Sequence, residues 1–378
     1  MKDEYPTGKA DLMTAFMLKA QMLTTPGGTW AMINLPSWMS LKSFEDLRHD
    51  LLRDQRISSM VHLGRGVFGS DFGSVAFVVA NAKDDGGRAV YRRLFEQHVD
   101  VRPVAAIEAL FRDANYNRFE VSQADFTAIP GSPIVYWLSE KMRATLAGVR
   151  TLATLSPPRQ GLSTGDNNLF TRLWWEPSAK RVLLGATTSS EVQCSRAGWV
   201  PYNKGGEFRK WYGNQEYLVN WAEDGKAIRN LGRGAVRNTS TYFRASVSWT
   251  NVSSGAPAFR FYPEGFIASA STGDGVFPET PGDATFLAGV LNSSVSLALL
   301  AAVSPGLTFN VGTISELPLP ESRSAESLLE RIEYLVAGAK DDWDSCETSW
   351  NFERSPLVQD SGHGAGATGR RGRCELLI

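Results

Sequence analysis

The sequence predicts an α/β fold, with half of a doubly wound, Rossmann-like sheet at its start and a separate α+β domain after it. Amphipathic helices that alternate with apolar strands predict the half sheet. The helices are expected at 11–24 and 41–52, and the strands at 29–36, 57–63 and 74–82. Short strands and many turns, rich in Gly, Asn, Trp and Arg, predict the second domain from residue 161. A chain of 378 residues is long enough for both.

The elements of the half sheet follow from local patterns. The first helix is expected to begin at Asp11, a good N-cap, and to end before Pro26. Its apolar face is expected to contain Leu12, Ala15, Phe16, Ala20 and Leu23. The strand at 29–36 is almost continuously apolar, which is typical of a strand buried in a parallel sheet. The strand at 74–82 closely follows the one before it, which predicts an antiparallel partner at the sheet edge.

Further along, helices are predicted at 135–149, 284–303 and 325–344, and a strand–turn segment at 306–320. The expected domain organisation is a half sheet at 1–125, a linker with a helix at 126–160, a second domain at 161–320, a packing helix at 321–358 and a tail at 359–378. The tail is rich in Gly and Arg and has no hydrophobic periodicity, so it is predicted to be disordered.

Composition argues against several classes of protein. The formal net charge is −1, so a nucleic-acid partner would have to be bound by local basic patches. The three Cys and four His lack metal-ligand or disulfide spacing, so no metal site is predicted. The longest apolar run, 286–303, is interrupted by Asn292 and by serines, and the N-terminus has no apolar signal core. The prediction is therefore a cytoplasmic protein without a membrane segment.

A G-x-G-x-x-G pattern occurs at Gly64, Gly66 and Gly69, directly after a predicted strand. A dinucleotide site needs a helix to open behind this pattern, so that the phosphates meet a helix N-terminus. Here the next predicted element is another strand. The pattern is therefore interpreted as a turn between two strands.

Basic and aromatic residues are interleaved between residues 204 and 244. The basic ones are Lys204, Arg209, Lys210, Lys226, Arg229, Arg233, Arg237 and Arg244. The aromatic ones are Trp211, Tyr212, Tyr217, Trp221, Tyr242 and Phe243. Basic side chains contact phosphates and aromatic rings stack on bases, so the pattern indicates a nucleic-acid surface. A solvated basic face over a small aromatic core has the same composition, and composition leaves both explanations open.

Longer blocks of the chain resemble a known family. Residues 8–52, beginning GKADLMTAFMLKAQMLTTPGGTWAMINLP, resemble the region after the catalytic loop of gamma-class adenine methyltransferases, and 62–82 (HLGRGVFGSDFGSVAFVVANA) resemble the following G-x-x-F turn and strand. Four further blocks resemble the PglX-type adenine-specific DNA methyltransferases of BREX phage-defence systems. These are 117–142, 161–176 (GLSTGDNNLFTRLWWE), 202–230 and 259–266. Residues 292–320 resemble the end of target-recognition domains.

The resemblance implies the C-terminal half of a methyltransferase sheet at 1–125 and a DNA target-recognition domain at 161–320. It implies methyl transfer from S-adenosylmethionine to the exocyclic amine of an adenine, which has to leave the duplex stack to be reached. By matching position, Phe16 is expected to line the cofactor's adenine pocket and Phe68 to stack on the extruded base. Ordinary core packing is the alternative for both, and it suits Phe16 better than Phe68, which lies in a Gly-rich turn.

The partners implied by the resemblance are duplex DNA and other subunits of a phage-defence complex. On this interpretation the loop at 161–168 lies near the DNA, and seven basic residues contact phosphates. These seven are Lys204, Arg209, Lys210, Lys226, Arg229, Arg233 and Arg237.

The chain departs from the family at the catalytic centre. The family's aromatic-x-G-x-G strand end and N-P-P-aromatic loop do not occur in this sequence, and the S-P-P-R sequence at 156–159 is expected to be a linker turn because Arg159 cannot supply the aromatic ring. No catalytic residue is assigned, and a fragment shortened at both ends and inactive alone is expected. The alternatives are a non-catalytic DNA-binding specificity module and a remnant that folds poorly because its sheet edge is exposed.

Overall fold

The protein consists of two compact units. The computed structural model describes residues 3–69, 72–96, 101–147, 150–253, 255–270, 272–303, 308–320 and 326–359. The first unit contains Met1–Val149 and Leu299–Pro305, and the second contains Arg150–Ala298 and Gly306–Ile378. Helices and strands occur in both, which confirms the predicted mixed α/β class. The predicted tail lies outside the described residues apart from its first residue.

The first unit is built on a five-stranded sheet. Its helices are α1 (Leu12–Leu23), α2 (Glu45–Asp54), α3 (Val104–Arg112), α4 (Ala124–Thr127) and α5 (Glu140–Leu146). Its strands are β1 (Thr29–Asn34), β2 (Arg56–Gly64), β3 (Ser74–Ala80), β4 (Arg88–Arg93) and β5 (Arg118–Ser122). The strand order is β1-β3-β2-β4-β5, with β3 antiparallel to both β1 and β2 and β2 parallel to β4. β1 and β2 therefore run in the same direction, with β3 between them.

Two predictions about this sheet are wrong. β1 is not buried in a parallel sheet, because it pairs antiparallel with β3 at the end of the described strand order and exposes Thr29, Ala31 and Ile33. β3 pairs antiparallel with β2 as predicted, but it lies inside the sheet rather than at its edge. Both errors have one cause: β3 inserts between two strands that precede it in the chain, and local apolar composition does not encode strand order.

Helix α1 begins after Asp11, whose side chain accepts a hydrogen bond from the backbone N–H of Met13, as the capping prediction requires. The side it buries overlaps the predicted face only at Ala15 and, in part, Ala20. Leu12, Phe16 and Leu23 are 60, 57 and 74 % exposed, whereas Thr14, Ala15 and Met17 are buried. Thr14 can be buried because its hydroxyl donates to the carbonyl of Gly8. The large apolar side chains of the predicted face are therefore exposed, while its two alanines are covered.

An aromatic core fills the first unit. Its fully buried aromatic side chains include Trp38, Tyr91, Phe126 and Tyr136. The guanidinium of Arg48 on α2, which is 1 % exposed, donates hydrogen bonds to the carbonyls of Trp38, Leu41 and Gly131. Burial lowers the pKa of Arg48 to about 10, so the group stays charged at neutral pH and the three carbonyls offset its desolvation. The predicted helix at 135–149 is confined to α5, since Tyr136 packs into this core from non-helical backbone.

The second unit contains two small sheets and several short helices. Its helices are α6 (Leu152–Leu155), α7 (Asn167–Phe170), α8 (Ser189–Ser195), α9 (Ala222–Leu231), α10 (Pro281–Asn292), α12 (Val311–Ser315), α13 (Glu326–Asp344) and α14 (Pro356–Gln359), and α11 (Ser294–Val303) begins in this unit. Its strands are β6 (Thr171–Leu173), β7 (Trp199–Asn203), β8 (Tyr217–Asn220), β9 (Ser246–Trp249), β10 (Phe259–Tyr262), β11 (Ile267–Ala268) and β12 (Asp274–Val276). The strand orders are β10-β9-β12 and β11-β7-β8-β6.

The single helix predicted at 284–303 is two helices, because Ser293 adopts an extended conformation between α10 and α11. Its neighbour Asn292 is tied to β10, accepting from the N–H and donating to the carbonyl of Phe259. No single helix in the described ranges is both long and apolar enough to cross a bilayer; Pro281–Asn292 and Ser294–Ala301 meet that criterion only together, with a 58° bend between them. The segment predicted as strand and turn at 306–320 contains the helix α12, capped by Asn310.

Candidate nucleic-acid interface

The loop before α7 and the segment after α9 are joined in the second unit. Ser163 and Ala235 exchange backbone hydrogen bonds as an isolated bridge. Leu162 on the loop side and Ile228 on the α9 side are both fully buried in the same hydrophobic cluster beneath this junction. The predicted loop at 161–168 therefore lies directly against the arginine-rich stretch that follows α9.

Glycine makes this close approach possible. Gly165 has a φ of +73°, a conformation that L side chains rarely adopt, and a Cβ built on it would lie 2.5 Å from the backbone N of Gly234. Asp166 then caps α7, its carboxylate accepting from the N–H of Leu169 at 3.1 Å. The loop is thus fixed by backbone contacts and a cap, which leaves the side chains of Asn167 and Asn168 exposed to solvent.

Two arginines and several amides surround this loop. Arg233, with a side chain 68 % exposed, lies 3.7 Å from the carboxylate of Asp166. Arg237 donates to the side-chain oxygen of Gln160 at 3.3 Å, and Asn238 donates to the backbone carbonyl of Gln160 at 2.8 Å. We call this surface the arginine–amide face. It consists of Gln160, Asn167, Asn168, Arg233, Arg237 and Asn238.

The face contains residues that sequence reasoning missed. Gln160 and Asn238 were not among the predicted DNA-contacting residues, although they flank the predicted loop and the last predicted arginine. Amide side chains next to an arginine-rich stretch were the available signal, because amides contact both base edges and phosphates.

The other predicted basic residues lie in different surroundings. On α9, Lys226 pairs with Glu223 at 2.7 Å and Arg229 pairs with Asp224 at 3.1 Å. The ammonium of Lys226 lowers the pKa of the Glu223 carboxyl through a hydrogen bond and its charge. These cations line a groove between α8 and α9 together with their acidic partners, so the groove carries little net positive charge.

Lys204, Arg209 and Lys210 lie in the loop between β7 and β8 and are only partly exposed. The ammonium of Lys204 lies 4.4 Å from the centre of the Tyr217 ring. The guanidinium of Arg209 donates to Asp342 at 2.8 Å and lies 5.2 Å from the Trp343 ring. Arg209 is thus engaged with α13. The structure separates the predicted basic cluster into groups with different partners.

The two predicted aromatic site residues have different outcomes. The ring of Phe16 is 57 % exposed on α1, so the core explanation for Phe16 is wrong for this chain. The side chain of Phe68 lies outside the described part of the structure; its backbone belongs to the 3-10 turn Val67–Gly69 between β2 and β3, as the turn interpretation of the glycine pattern expects. Neither predicted role is tested by these observations, and both stay predictions.

Comparison with known proteins gives related sequences along almost the whole chain. The family model of the Eco57I restriction-modification methylase matches residues 1–68. The adenine-specific methyltransferase PglX of Lacticaseibacillus casei (strain Zhang) is 35 % identical over 94 % of this chain, and the adenine-specific methyltransferase BrxX of Escherichia coli O9:H4 (strain HS) is 32 % identical over 96 % of it. The chain spans 30 % and 29 % of the lengths of these two relatives.

A solved structure shares the fold. It is a nuclease-deletion mutant of the Type ISP restriction-modification enzyme LlaGI in complex with a DNA substrate mimic. The TM-score is 0.52 at 9 % sequence identity, over 89 % of this chain and 38 % of that one. At this identity the likeness concerns the fold alone.

Proposed function

We propose that this chain, a relative of the PglX-type adenine-specific methyltransferases along nearly its whole length, provides the DNA-recognition domain and the last part of the methyl-transfer domain of a site-specific DNA adenine methyltransferase. The geometric observation behind the proposal is the arginine–amide face. The activity, the substrate and the phage-defence role of the whole enzyme are part of this proposal, because the chain spans about a third or less of its relatives.

DNA binding by the second unit is supported by the chemistry of the face. Arg233 and Arg237 are exposed cations on either side of a backbone-fixed loop, and exposed arginines neutralise phosphates with release of counterions. The amides beside them supply donors and acceptors of the kind that contact base edges and sugar–phosphate oxygens. The relative in fold, LlaGI, is described with a DNA substrate mimic, which agrees with this assignment.

The first unit fits the final strands of a Rossmann-like methyltransferase sheet. β1 and β2 run in one direction with the antiparallel β3 between them, and no described strand pairs with the outer edge of β1. Helix α1, which exposes Leu12 and Phe16, directly precedes β1 in the sequence. An open strand edge with apolar side chains nearby is suited to receive further strands of the same sheet, and the first part of the methyl-transfer domain is the proposed source.

Phe16 is the proposed contact for S-adenosylmethionine in this chain. Its ring is exposed on α1, which suits stacking against an adenine ring, and this is the property that the cofactor role requires. Bound S-adenosylmethionine supplies the methyl group. The chain's own contribution is to present this ring and to hold the duplex through the arginine–amide face, while the target adenine leaves the stack. Phe68 is proposed to stack on that adenine.

Salt-dependent binding of duplex DNA tests the proposal. The chain is titrated against a labelled duplex of random sequence by fluorescence anisotropy, between roughly 50 and 200 mM salt. We expect the affinity to fall steeply over this range. The double variant Arg233→Ala/Arg237→Ala should bind more weakly, and the slope of log K against log salt should decrease in magnitude by about 2, since each lost phosphate contact removes about one counterion.

The control has the same change of charge elsewhere in the second unit. Lys180 and Arg181 are exposed on the 3-10 turn Ala179–Arg181, outside the arginine–amide face. The variant Lys180→Ala/Arg181→Ala should retain the wild-type slope. Equal losses in the two double variants would mean that total charge, not this face, governs binding. Salt-independent binding, or no binding, would contradict the proposal.

A non-catalytic specificity module is the second candidate, because the arginine–amide face can bind DNA without any catalytic group. The exposed Leu12, Phe16 and Leu23 argue against it, because a free-standing module has no use for an uncovered apolar helix face. The two are separated by co-expressing this chain with the preceding part of a PglX-type enzyme. A complex that binds S-adenosylmethionine in calorimetry, and loses that binding with Phe16→Ala, supports the methyltransferase. Failure to form a complex supports the module.

A further inference from the structure

We propose that Asn168 reads one base of the target sequence in the major groove, and that the base it selects is adenine. The inference rests on the proposed function, because it requires the arginine–amide face to lie on duplex DNA. It adds the residue that distinguishes one sequence from another, which phosphate contacts cannot do.

Asn168 is the amide of the face that keeps all its hydrogen-bonding groups. Gln160 already accepts from an arginine of the face, and Asn167 accepts from a threonine hydroxyl within the loop. Asn238 donates to the backbone carbonyl of Gln160. The side-chain amide of Asn168 has no hydrogen bond to any other described residue and is exposed. It therefore has both its oxygen and its nitrogen available for a ligand.

An amide with a free donor and a free acceptor matches one base edge in particular. In the major groove adenine presents N7 as an acceptor and the N6 amine as a donor, and the amide of asparagine pairs with both at once. Asn167 is less suited to this pair, because its oxygen already accepts from the loop threonine and its amide is thereby oriented within the loop. The geometry of the loop thus favours Asn168 over its neighbour, which has the same side chain.

The backbone of Asn168 is held in place before DNA arrives. Its carbonyl accepts from the guanidinium of Arg172 at 2.7 Å, and Asp166 caps the same helical turn. Gly165 seats the loop against the backbone of Gly234. A base-reading side chain on a fixed backbone loses less conformational entropy on binding, so more of the hydrogen-bond energy is left for discrimination between bases.

The phosphate-binding residues are placed to set the register. Arg233 and Arg237 belong to the segment bridged to the loop of Asn168 through Ser163 and Ala235. Contacts to phosphates fix the position of a protein along the duplex, and base contacts then report the sequence at that position. The face therefore combines both kinds of contact in one continuous piece of structure.

The experiment is a selection of binding sites from a library of randomised duplexes, with the 378-residue chain as bait. We expect the wild-type chain to enrich a motif that contains an invariant adenine. Asn168→Ala should lose the preference at that one position by about tenfold and keep the others. Asn168→Asp should shift the same position toward cytosine, whose N4 amine donates to a carboxylate.

Asn115→Ala is the matched control, because Asn115 has the same side chain and is also exposed, but lies in the first unit. It should enrich the wild-type motif. An unchanged motif in Asn168→Ala, or salt-dependent binding by the wild type without any enriched motif, overturns the assignment of Asn168 and leaves the proposed DNA binding intact. Absence of salt-dependent binding by the wild type overturns the proposed function itself, and the assignment with it. Melting curves that match the wild type establish that both Asn168 variants are folded.

Discussion

The two units connect distant segments of the chain by different means. In the first unit, strands of five to nine residues form one sheet with long ladders. In the second unit, strands are two to five residues long, and all the isolated bridges between described residues lie there. Two of these bridges, at Arg159 and Leu162, join the segment around the arginine–amide face to the rest of the unit, and the bridge between Ser163 and Ala235 joins the two parts of the face. The first unit is therefore held by long backbone ladders over an apolar core, and the second depends more on short contacts where backbone segments approach closely.

The exposed surfaces of the two units also differ in their chemistry. The first unit exposes apolar side chains of α1, such as Leu12 and Phe16, whereas the arginine–amide face exposes guanidinium and amide groups. Salt screens charged contacts, while strongly hydrated salts such as sulfate strengthen apolar burial. Partners of the two surfaces should therefore respond to sulfate in opposite directions.

The largest predicted effect tests the dependence of the second unit on backbone approach. We expect Gly165→Ala to lower the free energy of unfolding by about 3 kcal/mol, since the new Cβ is strained by the positive φ and overlaps the backbone of Gly234. Gly232 has a similar φ of +71°, but a Cβ added there would meet no atom within 4 Å. Gly232→Ala should therefore cost only about 1 kcal/mol.

Urea unfolding followed by tryptophan fluorescence measures both variants. Gly165→Ala should also weaken DNA binding more than Gly232→Ala, because it separates the loop of Asn168 from the segment of Arg233. Equal costs in the two variants would mean that conformational strain alone matters at these positions. The distinction between the units would then lose its main support.

Prediction from sequence succeeded where apolar spacing decides the structure. α1, α2, β2 and β3 lie within a few residues of their predicted ranges, because helical and strand periodicities are local properties. The place of β3 between β1 and β2 was not predictable, since it depends on pairing between segments that are distant in sequence. The exposed face of α1 was missed for a related reason: the pattern identifies an apolar face, but it does not identify what covers it.

The candidate site was predicted as one basic cluster and has several parts. Arg233 and Arg237 remain beside the predicted loop, but Arg209 is paired with Asp342, which lies 133 residues further along the chain. Composition counts charges and does not reveal their partners. The pairing of Ser163 with Ala235, which defines the face, is not encoded by any local pattern and required the structure.

A second prediction concerns stability at acidic pH. It applies to the first unit, because no histidine occurs among the described residues of the second unit. His62 on β2 is 4 % exposed, and its Nδ1 has no hydrogen-bond partner in the described structure. Burial, and then the charge of Arg93, lower the pKa of His62 to about 3. The unfolded chain, in which the pKa is about 6.5, binds the proton more readily between these values. Stability is therefore complete above about pH 6.5 and decreases as the pH falls toward 3.

At about pH 5.5 the loss attributable to this group should be about 1.4 kcal/mol. Chemical unfolding of the wild type and of His62→Phe as a function of pH measures it; phenylalanine suits the site because the imidazole already lies edge-on against Phe95. The variant should lose this part of the pH dependence. His49→Gln, at an exposed position on α2, should leave it in place. A slope that survives in His62→Phe would assign the acid sensitivity to other groups.

The smallest predicted effect concerns Arg209 in the second unit. It tests whether this cation stabilises the fold or contacts DNA. Arg209 pairs with Asp342 and lies over the ring of Trp343, so Arg209→Ala should lower the free energy of unfolding by about 1 kcal/mol. Asp342→Asn removes the ion pair but keeps the cation, and we expect a loss of similar size or smaller.

If Arg209 serves to hold α13, anisotropy titrations should give both variants the wild-type DNA affinity. If Arg209 contacts phosphate instead, Arg209→Ala should bind more weakly and Asp342→Asn, with its arginine released, more tightly. The pair of variants thus decides the role of Arg209 by the sign of the change in affinity, which does not depend on how far either variant is destabilised.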